Sequence, residues 1–468
     1  MSPVWREKTL EDIGRALRAG ELSSCELLDG ACDAHKSYGE TLSAYRTWND
    51  DHARTQAEAA DEAFRAGRDG GPLQGIPTSV KDLFGVSYLD TYAGSPNPLP
   101  AEWSREGPVV RAVLDQGAVV TGKTHMVEFA FGGLGTNAHW LVPRNPWDAE
   151  NYRVAGGSSS GAGVSLIEGS ALLALGSDTA GSVRVPASMT GTVGLKVTAA
   201  RWPLDGIVPL SPTLDTPGVL TRCVADAALA FEVIDAFCAG REAQTPAKAA
   251  AIGDIKIGIC ENHFFSDCPA DIADVIHTAI GELESAGAQV AAFDLPETED
   301  AFDLFCKGSV VAWELQAYLK DRLPGWAETL DPIITLRLAG AADLEKDEIT
   351  RRRSRMAELS GSAEERLARV DVLVSPTVPI TAPKVEEVSE LKSYSAANLA
   401  ALRNTCIANL LGLCAITLPV GLDRAGIPVG LQCIAGPGQE EKLLSIALAF
   451  ERILGTPRKR LGKPPLGV

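Results

Sequence analysis

The sequence lacks the features that mark membrane and secreted proteins. No apolar run approaches the roughly 18 residues that a membrane-spanning helix needs. The chain begins with MSPVWREK, which contains no apolar stretch of the kind found in signal peptides. Its ten cysteines are scattered without a Cys-x-x-Cys pair, as is typical of reduced thiols. We therefore expect a cytoplasmic protein that does not associate with membranes.

Positive charge and metal-binding patterns are also scarce. The chain has 43 lysines and arginines against 61 aspartates and glutamates, a net charge of −18. A surface this acidic repels phosphate groups, which argues against binding to nucleic acid or anionic lipid. The six histidines form no H-E-x-x-H motif or similar cluster, so we expect no metal site.

The remaining composition is that of a large globular protein. The 468 residues are 45% hydrophobic and 22% charged, enough to bury a sizeable core. Helices are predicted within residues 9–66, with Thr9 and Asp12 resembling a helix cap, and in the stretches Asp271 to Ala286 and Glu440 to Leu454. The best strand candidates are Ile76 to Val80, Ala118 to Thr121, Ile255 to Cys260, Val290 to Phe293, Val370 to Val374 and Ala415 to Leu418.

This alternation of strands and helices predicts an α/β fold with a sheet covered on both faces. Residues 239–251 are Ala-rich and are predicted to form a surface connection. This connection could mark a boundary between two subdomains, but we favour a single continuous hydrophobic core. Residues 150–220 are dense in Gly, Ser and Thr, which is typical of a flexible linker or of a tightly packed site. The leucines and valines within that segment favour packing.

Two motif matches are misleading on their own. GAVVTGKT (117–124) fits the P-loop pattern, but its middle residues read as a strand rather than an open phosphate-binding loop. GSSSG (157–161) fits a nucleophile elbow centred on Ser159. That elbow needs a strand directly before it and a histidine late in the chain, and the preceding residues are polar and turn-like. We expect neither nucleotide binding nor a Ser-His-Asp site.

A hydrolase without a catalytic histidine needs another base for its serine, and a buried lysine can take that role. Lys81 follows the apolar run GIPTSV and precedes DLFG, a setting that can remove it from water. Two glycine-rich turns supply serines, GGSSSG (156–161) and GSDTAGSVRVPA (176–187). The turn Thr-Ala-Gly-Ser can direct successive backbone amides at an oxyanion. Each element alone has a commoner structural explanation.

Together these elements resemble the amidase signature family over essentially the whole chain. The matching stretches are GIPTSVKDLFGV (75–86), GAVVTGKTHMVEFAFGGLGTN (117–137), RNPWD (144–148), GGSSSGAG (156–163), GSDTAGSVRVPAS (176–188), GTVGLK (191–196), NLLGLCAITLPVG (409–421) and GIPVGLQCIAG (426–436). The resemblance implies a single large domain with a central mixed, twisted β-sheet. This domain is expected to comprise an N-terminal helical segment (1–70), a signature core (71–235) and the rest of the sheet with its covering helices (252–468).

The resemblance also implies a Ser–cis-Ser–Lys triad. Lys81 matches the base, Ser158 the bridging serine that follows a cis peptide bond, and Ser182 the nucleophile. The separation of the two serines, 182 − 158 = 24 residues, agrees with the family's spacing and selects Ser158 among three consecutive serines. The oxyanion hole would be formed by the backbone amides of Thr179, Ala180, Gly181 and Ser182. Asp178 and Arg184 flank the nucleophile and are expected to hold its loop.

The expected function is hydrolysis of a small-molecule amide through an acyl-enzyme, without metal or organic cofactor. One alternative is the glutaminase-type A subunit of a tRNA-dependent amidotransferase, which Ala180 and Val185 disfavour. Another is a ureide hydrolase, because RWPLDG (201–206) is similar to segments of such enzymes. A non-catalytic scaffold is disfavoured by the intact triad.

Met126 is expected in the substrate pocket, with Phe129, Phe131, Gly132 and Gly133. The identity of the substrate and the need for a smaller partner protein are left open, and a homodimer is one option for assembly.

Overall fold

The computed structural model describes residues 7–307, 310–341 and 344–468. Within these residues, eleven strands form one hydrogen-bonded sheet. The strands are β1 (Tyr45–Trp48), β2 (Pro77–Lys81), β3 (Val119–Thr124), β4 (Leu173–Asp178), β5 (Val193–Lys196), β6 (Thr216–Thr221), β7 (Lys256–Ile259), β8 (Gln289–Ala292), β9 (Val372–Pro376), β10 (Cys414–Leu422) and β11 (Pro428–Ala435). Their order across the sheet is β1-β3-β2-β4-β6-β5-β10-β11-β9-β7-β8.

The sheet is mixed, as the sequence predicts. Strand β2 runs parallel to both of its neighbours, β3 and β4, and β7 runs parallel to β8 and β9. The central strands pair antiparallel, and the β5–β10 pair, with Lys196 opposite Ala415, joins the two halves. The sheet is therefore continuous across the exposed connection at 239–251, which has no regular secondary structure.

Helices flank this sheet. They are α1 (Leu10–Ala19), α2 (Ser24–Leu42), α3 (Asp50–Arg65), α4 (Pro108–Leu114), α5 (Ser160–Glu168), α6 (Arg184–Thr190), α7 (Val224–Cys238), α8 (Glu261–Phe264), α9 (Ala270–Ser285), α10 (Glu297–Cys306), α11 (Val310–Arg322), α12 (Pro332–Ala339), α13 (Lys346–Leu367), α14 (Leu391–Leu402), α15 (Thr405–Leu410), α16 (Glu440–Leu454) and α17 (Pro457–Leu461). Some of these helices, including α5, α6, α7, α9 and α16, pack directly on the strands of the sheet, while α10 to α14 pack mainly on other helices. Thr9 caps α1 by accepting the Asp12 amide, as predicted. In the described part of the chain, no helix is both long and apolar enough to span a bilayer.

The six predicted strands are confirmed with small shifts at their ends, and so are the two predicted helices, now α9 and α16. The prediction of helices throughout 9–66 missed the short strand β1. Strands β4, β5, β6 and β11 were also missed, because each contains glycine and no run of alternating polarity. The Gly- and Ser-rich segment 150–220 is packed, not a linker, since most of its residues are buried. The P-loop-like run forms strand β3, as predicted.

Candidate active site

The candidate site forms where two parallel strands end side by side. Lys81 is the last residue of β2, and Asp178 is the last residue of the adjacent strand β4. The loop that leaves β4 carries Ser182, and the turn before α5 carries Ser158. All four of these residues are almost completely buried. The fold thus gathers the predicted triad from three segments that are far apart in sequence.

Lys81 is held between two serines. Its Nζ lies 2.7 Å from the Oγ of Ser158 and 2.8 Å from the Oγ of Ser177, the residue before Asp178. Burial lowers the pKa of Lys81 to about 7, although the negative charges of Asp215 and Asp178 oppose this shift. A lysine in this state is neutral often enough at physiological pH to accept a proton.

The turn that carries Ser158 needs its glycines for close packing. The peptide bond between Gly157 and Ser158 is cis, as the resemblance implies. A Cβ atom on Gly157 would lie 2.5 Å from the backbone nitrogen of Gly135, so no larger residue fits there. Beyond the turn, the Ser159 amide donates a 3.2 Å hydrogen bond to the carbonyl oxygen of Ser182, which ties the two serine-bearing segments together.

The loop from Asp178 to Arg184 is shaped by the Asp178 carboxylate. This carboxylate accepts hydrogen bonds from the amides of Gly181 (2.8 Å) and Val183 (3.1 Å). Gly181 has φ = 135°, and a Cβ there would lie 2.1 Å from the Oγ1 of Thr405, so glycine is required. Within the described part of the chain, the amides of Thr179, Ala180 and Ser182 have no hydrogen-bond acceptor. The Gly181 amide, which the resemblance places in the oxyanion hole, is instead engaged by Asp178.

Arg184 closes the loop from the other side, as the sequence predicts. Its Nε and Nη2 donate to the two carboxylate oxygens of Asp178 at 3.1 and 2.9 Å, and its remaining donors reach the side-chain oxygens of Gln432 and Asn409. Burial by itself would raise the pKa of Asp178, but the Arg184 charge and hydrogen bonds hold it well below its usual range. The pair therefore acts as a buried structural ion pair.

Removing one member of this pair should strongly destabilise the protein. Arg184→Gln leaves the Asp178 carboxylate buried without its partner charge, a change that typically costs about 3–5 kcal/mol of unfolding free energy. Urea unfolding followed by circular dichroism measures this loss. Arg15→Gln is the control, because Arg15 is exposed on α1 and its removal should leave the urea midpoint unchanged. An unchanged midpoint for Arg184→Gln would contradict the assigned role.

Asp215 is a site residue that sequence reasoning did not assign. Its Oδ1 accepts a 2.6 Å hydrogen bond from the Thr179 hydroxyl, and its Oδ2 accepts the amides of Leu210 and Ser211, both at 2.9 Å. Burial raises the pKa of Asp215 to about 6, against the effect of these hydrogen bonds and of Lys81. Asp215 thus anchors Thr179 and places a titratable carboxyl near Lys81. The contact between Asp215 and Thr179 joins segments 36 residues apart, and no local pattern in the sequence indicates it.

A cavity of about 250 Å³ opens in front of Ser182, Thr179 and Ala180. Most of the remaining wall is apolar and includes Phe131, Gly132, Leu210, Phe305, Leu399 and Leu402. The expected pocket residues Phe131 and Gly132 do line it. Met126, expected to bind substrate, and Phe129 are not among the residues that line this cavity, and both are buried in the main hydrophobic core. A role for Met126 in substrate binding stays a prediction.

Other candidate groups have structural partners. Lys123, the lysine of the P-loop-like run, forms a buried ion pair with Asp82, Nζ to Oδ1 at 3.1 Å. Asp82 directly follows Lys81 in the sequence, but its ion-pair partner is Lys123. Ser159, the centre of the elbow-like motif, directs its Oγ at the carbonyl oxygen of Ser177. Among the described residues, no group of three or more His, Cys, Asp or Glu side chains is placed so that it could hold a metal ion.

The fold is that of an amide-hydrolysing enzyme, and comparison with known proteins agrees. A sequence model of the amidase family matches residues 26–444, and the chain belongs to the amidase signature family. It is 47% identical to 2-amino-5-chloromuconic acid deaminase of Comamonas testosteroni, over 98% of both chains. It is 31% identical to the glutamyl-tRNA(Gln) amidotransferase A subunit of Moorella thermoacetica, over 98% of this chain and 99% of the other. An amidase crystal structure superposes with a TM-score of 0.83 at 29% identity, covering 96% of this chain and 100% of that one.

Proposed function

We propose that this amidase-family enzyme hydrolyses a small-molecule amide through an acyl-enzyme formed on Ser182. In this proposal Ser158 relays protons and Lys81 is the base. One observation carries it: the fully buried Lys81 directs its Nζ at the Ser158 Oγ, 2.7 Å away, directly behind the cavity wall that holds Ser182. No metal or organic cofactor is required by these groups.

The first half of the reaction forms the acyl-enzyme. Neutral Lys81 takes the hydroxyl proton of Ser158, which takes that of Ser182, and the Ser182 Oγ attacks the amide carbonyl carbon. The resulting oxyanion accepts hydrogen bonds from amides of the Thr179–Ser182 turn. Those of Thr179, Ala180 and Ser182 are assigned this role because the Gly181 amide already donates to Asp178.

The second half releases the products and restores the enzyme. When the tetrahedral intermediate collapses, the carbon–nitrogen bond breaks and the proton passes from Lys81 through Ser158 to the leaving ammonia or amine. Water then attacks the acyl group and gives up a proton along the same relay. When the second tetrahedral intermediate collapses, the bond to the Ser182 Oγ breaks and the proton returns from Lys81 through Ser158 to that oxygen. The acid product then ionises and leaves as a carboxylate.

The size of the cavity and the relatives support a small substrate. The similar deaminase from Comamonas testosteroni acts, by its name, on 2-amino-5-chloromuconic acid, a small organic acid. The amidotransferase alternative is weaker, because identity to such proteins is lower and Ala180 and Val185 depart from their usual residues. The ureide alternative rests on the RWPLDG resemblance alone, and in the structure Arg201 of this segment pairs with Asp235.

A substrate panel tests the proposed activity. The purified protein should release ammonia from at least one small amide, in a reaction that EDTA does not inhibit. The panel should contain neutral amides, mono-amides of dicarboxylic acids, glutamine and biuret, together with an aminomuconic acid, which carries an amino group but no amide bond. Ammonia release from the aminomuconic acid alone would contradict the proposed acyl-enzyme, because its carbon–nitrogen bond is not at a carbonyl carbon. Activity on glutamine alone would favour the amidotransferase alternative. Activity lost with EDTA and restored by zinc or manganese would contradict the metal-free mechanism.

A further inference from the structure

The cavity in front of Ser182 contains a single charged group that the proposed reaction does not use. Among the described residues that line the cavity, Arg337 of α12 is the only one with a charged side chain. Its surroundings are otherwise largely apolar, with the rings of Phe131 and Phe305 on the wall. A cation in a mostly apolar pocket is a strong determinant of which substrates are accepted, because a neutral ligand leaves it without a counter-charge.

Arg337 is held in place without neutralising its charge. One of its terminal nitrogens, Nη1, donates to the backbone carbonyl oxygen of Phe131. The guanidinium lies 4.0 Å from the centre of the Phe131 ring and 5.7 Å from that of Tyr394, so it makes cation–π contacts with both rings. The ion pairs found in the described part of the chain do not include Arg337. Its Nε and Nη2 therefore stay available for a ligand.

The helix that carries Arg337 is fastened to the cavity wall at a second point. The buried Glu128 accepts the Asp331 amide on its Oε2 at 2.7 Å, just before α12 begins. Asp331 in turn caps α12 by accepting the Ile333 amide at 2.8 Å. Glu128 and Phe131 belong to the same short segment of the wall. Two contacts thus fix α12 on that segment, which makes the position of the guanidinium well defined.

A second donor lies on the same cavity wall. Asn398 of α14 is buried, and its Oδ1 accepts the Gly133 amide at 2.7 Å. Its other side-chain atom, Nδ2, is a donor and has no acceptor among the described residues. Apart from the loop that carries Ser182, the polar groups of the cavity therefore include an arginine fork and an amide NH₂ group, both of which suit an anion.

We propose that Arg337 binds an ionised carboxylate of the substrate, so that the enzyme's substrates are amides of organic acids that retain a free carboxylate. The guanidinium fork matches the two oxygens of a carboxylate, and Asn398 Nδ2 is a further donor. This inference rests on the proposed function for the reacting end of the substrate, since Ser182 defines where the amide must lie.

Binding to an inactive variant tests this inference without requiring turnover. Titration calorimetry with Ser182→Ala compares mono-amides of dicarboxylic acids, namely succinamic, glutaramic and adipamic acids, with butyramide, valeramide and hexanamide. These neutral amides match the acids in length but carry a methyl group in place of the carboxylate. At least one acid should bind about 30-fold or more tightly than its neutral partner, and adding Arg337→Gln should remove this preference.

Two further variants separate recognition from structure. Arg351→Gln removes an exposed arginine of α13 that pairs with Glu348, and it should leave both affinities unchanged. In the active enzyme, Arg337→Gln should raise KM for the acid amides while kcat/KM for neutral amides changes less than about threefold. Equal losses on both substrate classes would show that Arg337 only supports the wall, and would overturn the inference. So would an acid preference that survives Arg337→Gln.

The same experiment distinguishes failure of this inference from failure of the proposed function. If no acid amide binds better than its neutral partner, the inference is wrong even where neutral amides are hydrolysed. If the acids bind through Arg337 and Ser182→Ala still turns over amides, the inference stands and the proposed nucleophile is wrong.

Discussion

Ser182→Ala is expected to reduce kcat/KM for any amide substrate by at least about 10⁴-fold, because it removes the atom that forms the acyl bond. The protein should stay folded. The Ser182 side chain is not part of the buried ion-pair network, which depends on Asp178 and Arg184. Ammonia release measured alongside the thermal unfolding midpoint checks both halves of this prediction.

Ser159→Ala is the matched control for that variant. Ser159 is equally buried and lies at the centre of the elbow-like motif, but its hydroxyl only donates to the Ser177 carbonyl oxygen, at 3.3 Å. Its loss should cost less than about tenfold in rate. If Ser182→Ala kept activity within tenfold of wild type while Ser159→Ala did not, the nucleophile would have to be reassigned to Ser159.

Lys81 should give the enzyme a pH profile that rises from pH 6 to pH 8. Burial lowers the pKa of Lys81 to about 7. The base works only when neutral, so about a tenth of the enzyme is competent at pH 6 and about nine tenths at pH 8. The value of kcat/KM should therefore increase about tenfold over this range and level off on the alkaline side, consistent with the optimum expected of a lysine base.

Variants of Lys81 and its neighbour identify the group behind this rise. Lys81→Ala should lose about 10²-fold or more in rate and with it the rise near pH 7. Lys81→Arg should be no better, since arginine stays protonated and cannot accept the proton. Asp215→Asn should keep the rise but move it to lower pH, because the negative charge of Asp215 raises the pKa of Lys81. Rescue by arginine would contradict a base role for Lys81.

The proposed catalytic residues were visible in the sequence because backbone constraints concentrate them in short motifs. The turn around Ser158 requires Gly157, and the loop before Ser182 requires Gly181, so each serine carries glycines that mark its place. Lys81 ends an apolar run that forms a buried strand, which explains why its pKa falls. In these segments the local sequence pattern is enough to indicate where each residue lies in the fold, and the three predicted triad residues do lie close together.

Specificity was not visible in the same way, because it depends on packing between distant segments. Met126 and Phe131 were both expected at the pocket and both belong to the main core, but of the two only Phe131 lines the cavity. Arg337 belongs to the short helix α12, and nothing in the local sequence shows that its guanidinium packs on Phe131. The glycine-containing strands β4 and β6 escaped detection because glycine, and in β6 also proline, interrupts the alternating pattern that predicts a strand, whereas pairing with neighbours in the sheet is not visible in the sequence.

The most direct test of the whole account is the site of the acyl group during turnover. An aryl ester of a small carboxylic acid, acid-quenched while the acyl-enzyme accumulates, should leave one acyl group on the protein. Cleavage after Glu168 places Ser158 and Ser159 in one peptide and Ser182 in the next, so mass spectrometry assigns the modified serine. The account predicts the acyl group on Ser182 in the wild type and none in Ser182→Ala. An acyl group on the peptide that carries Ser158 and Ser159 would contradict it.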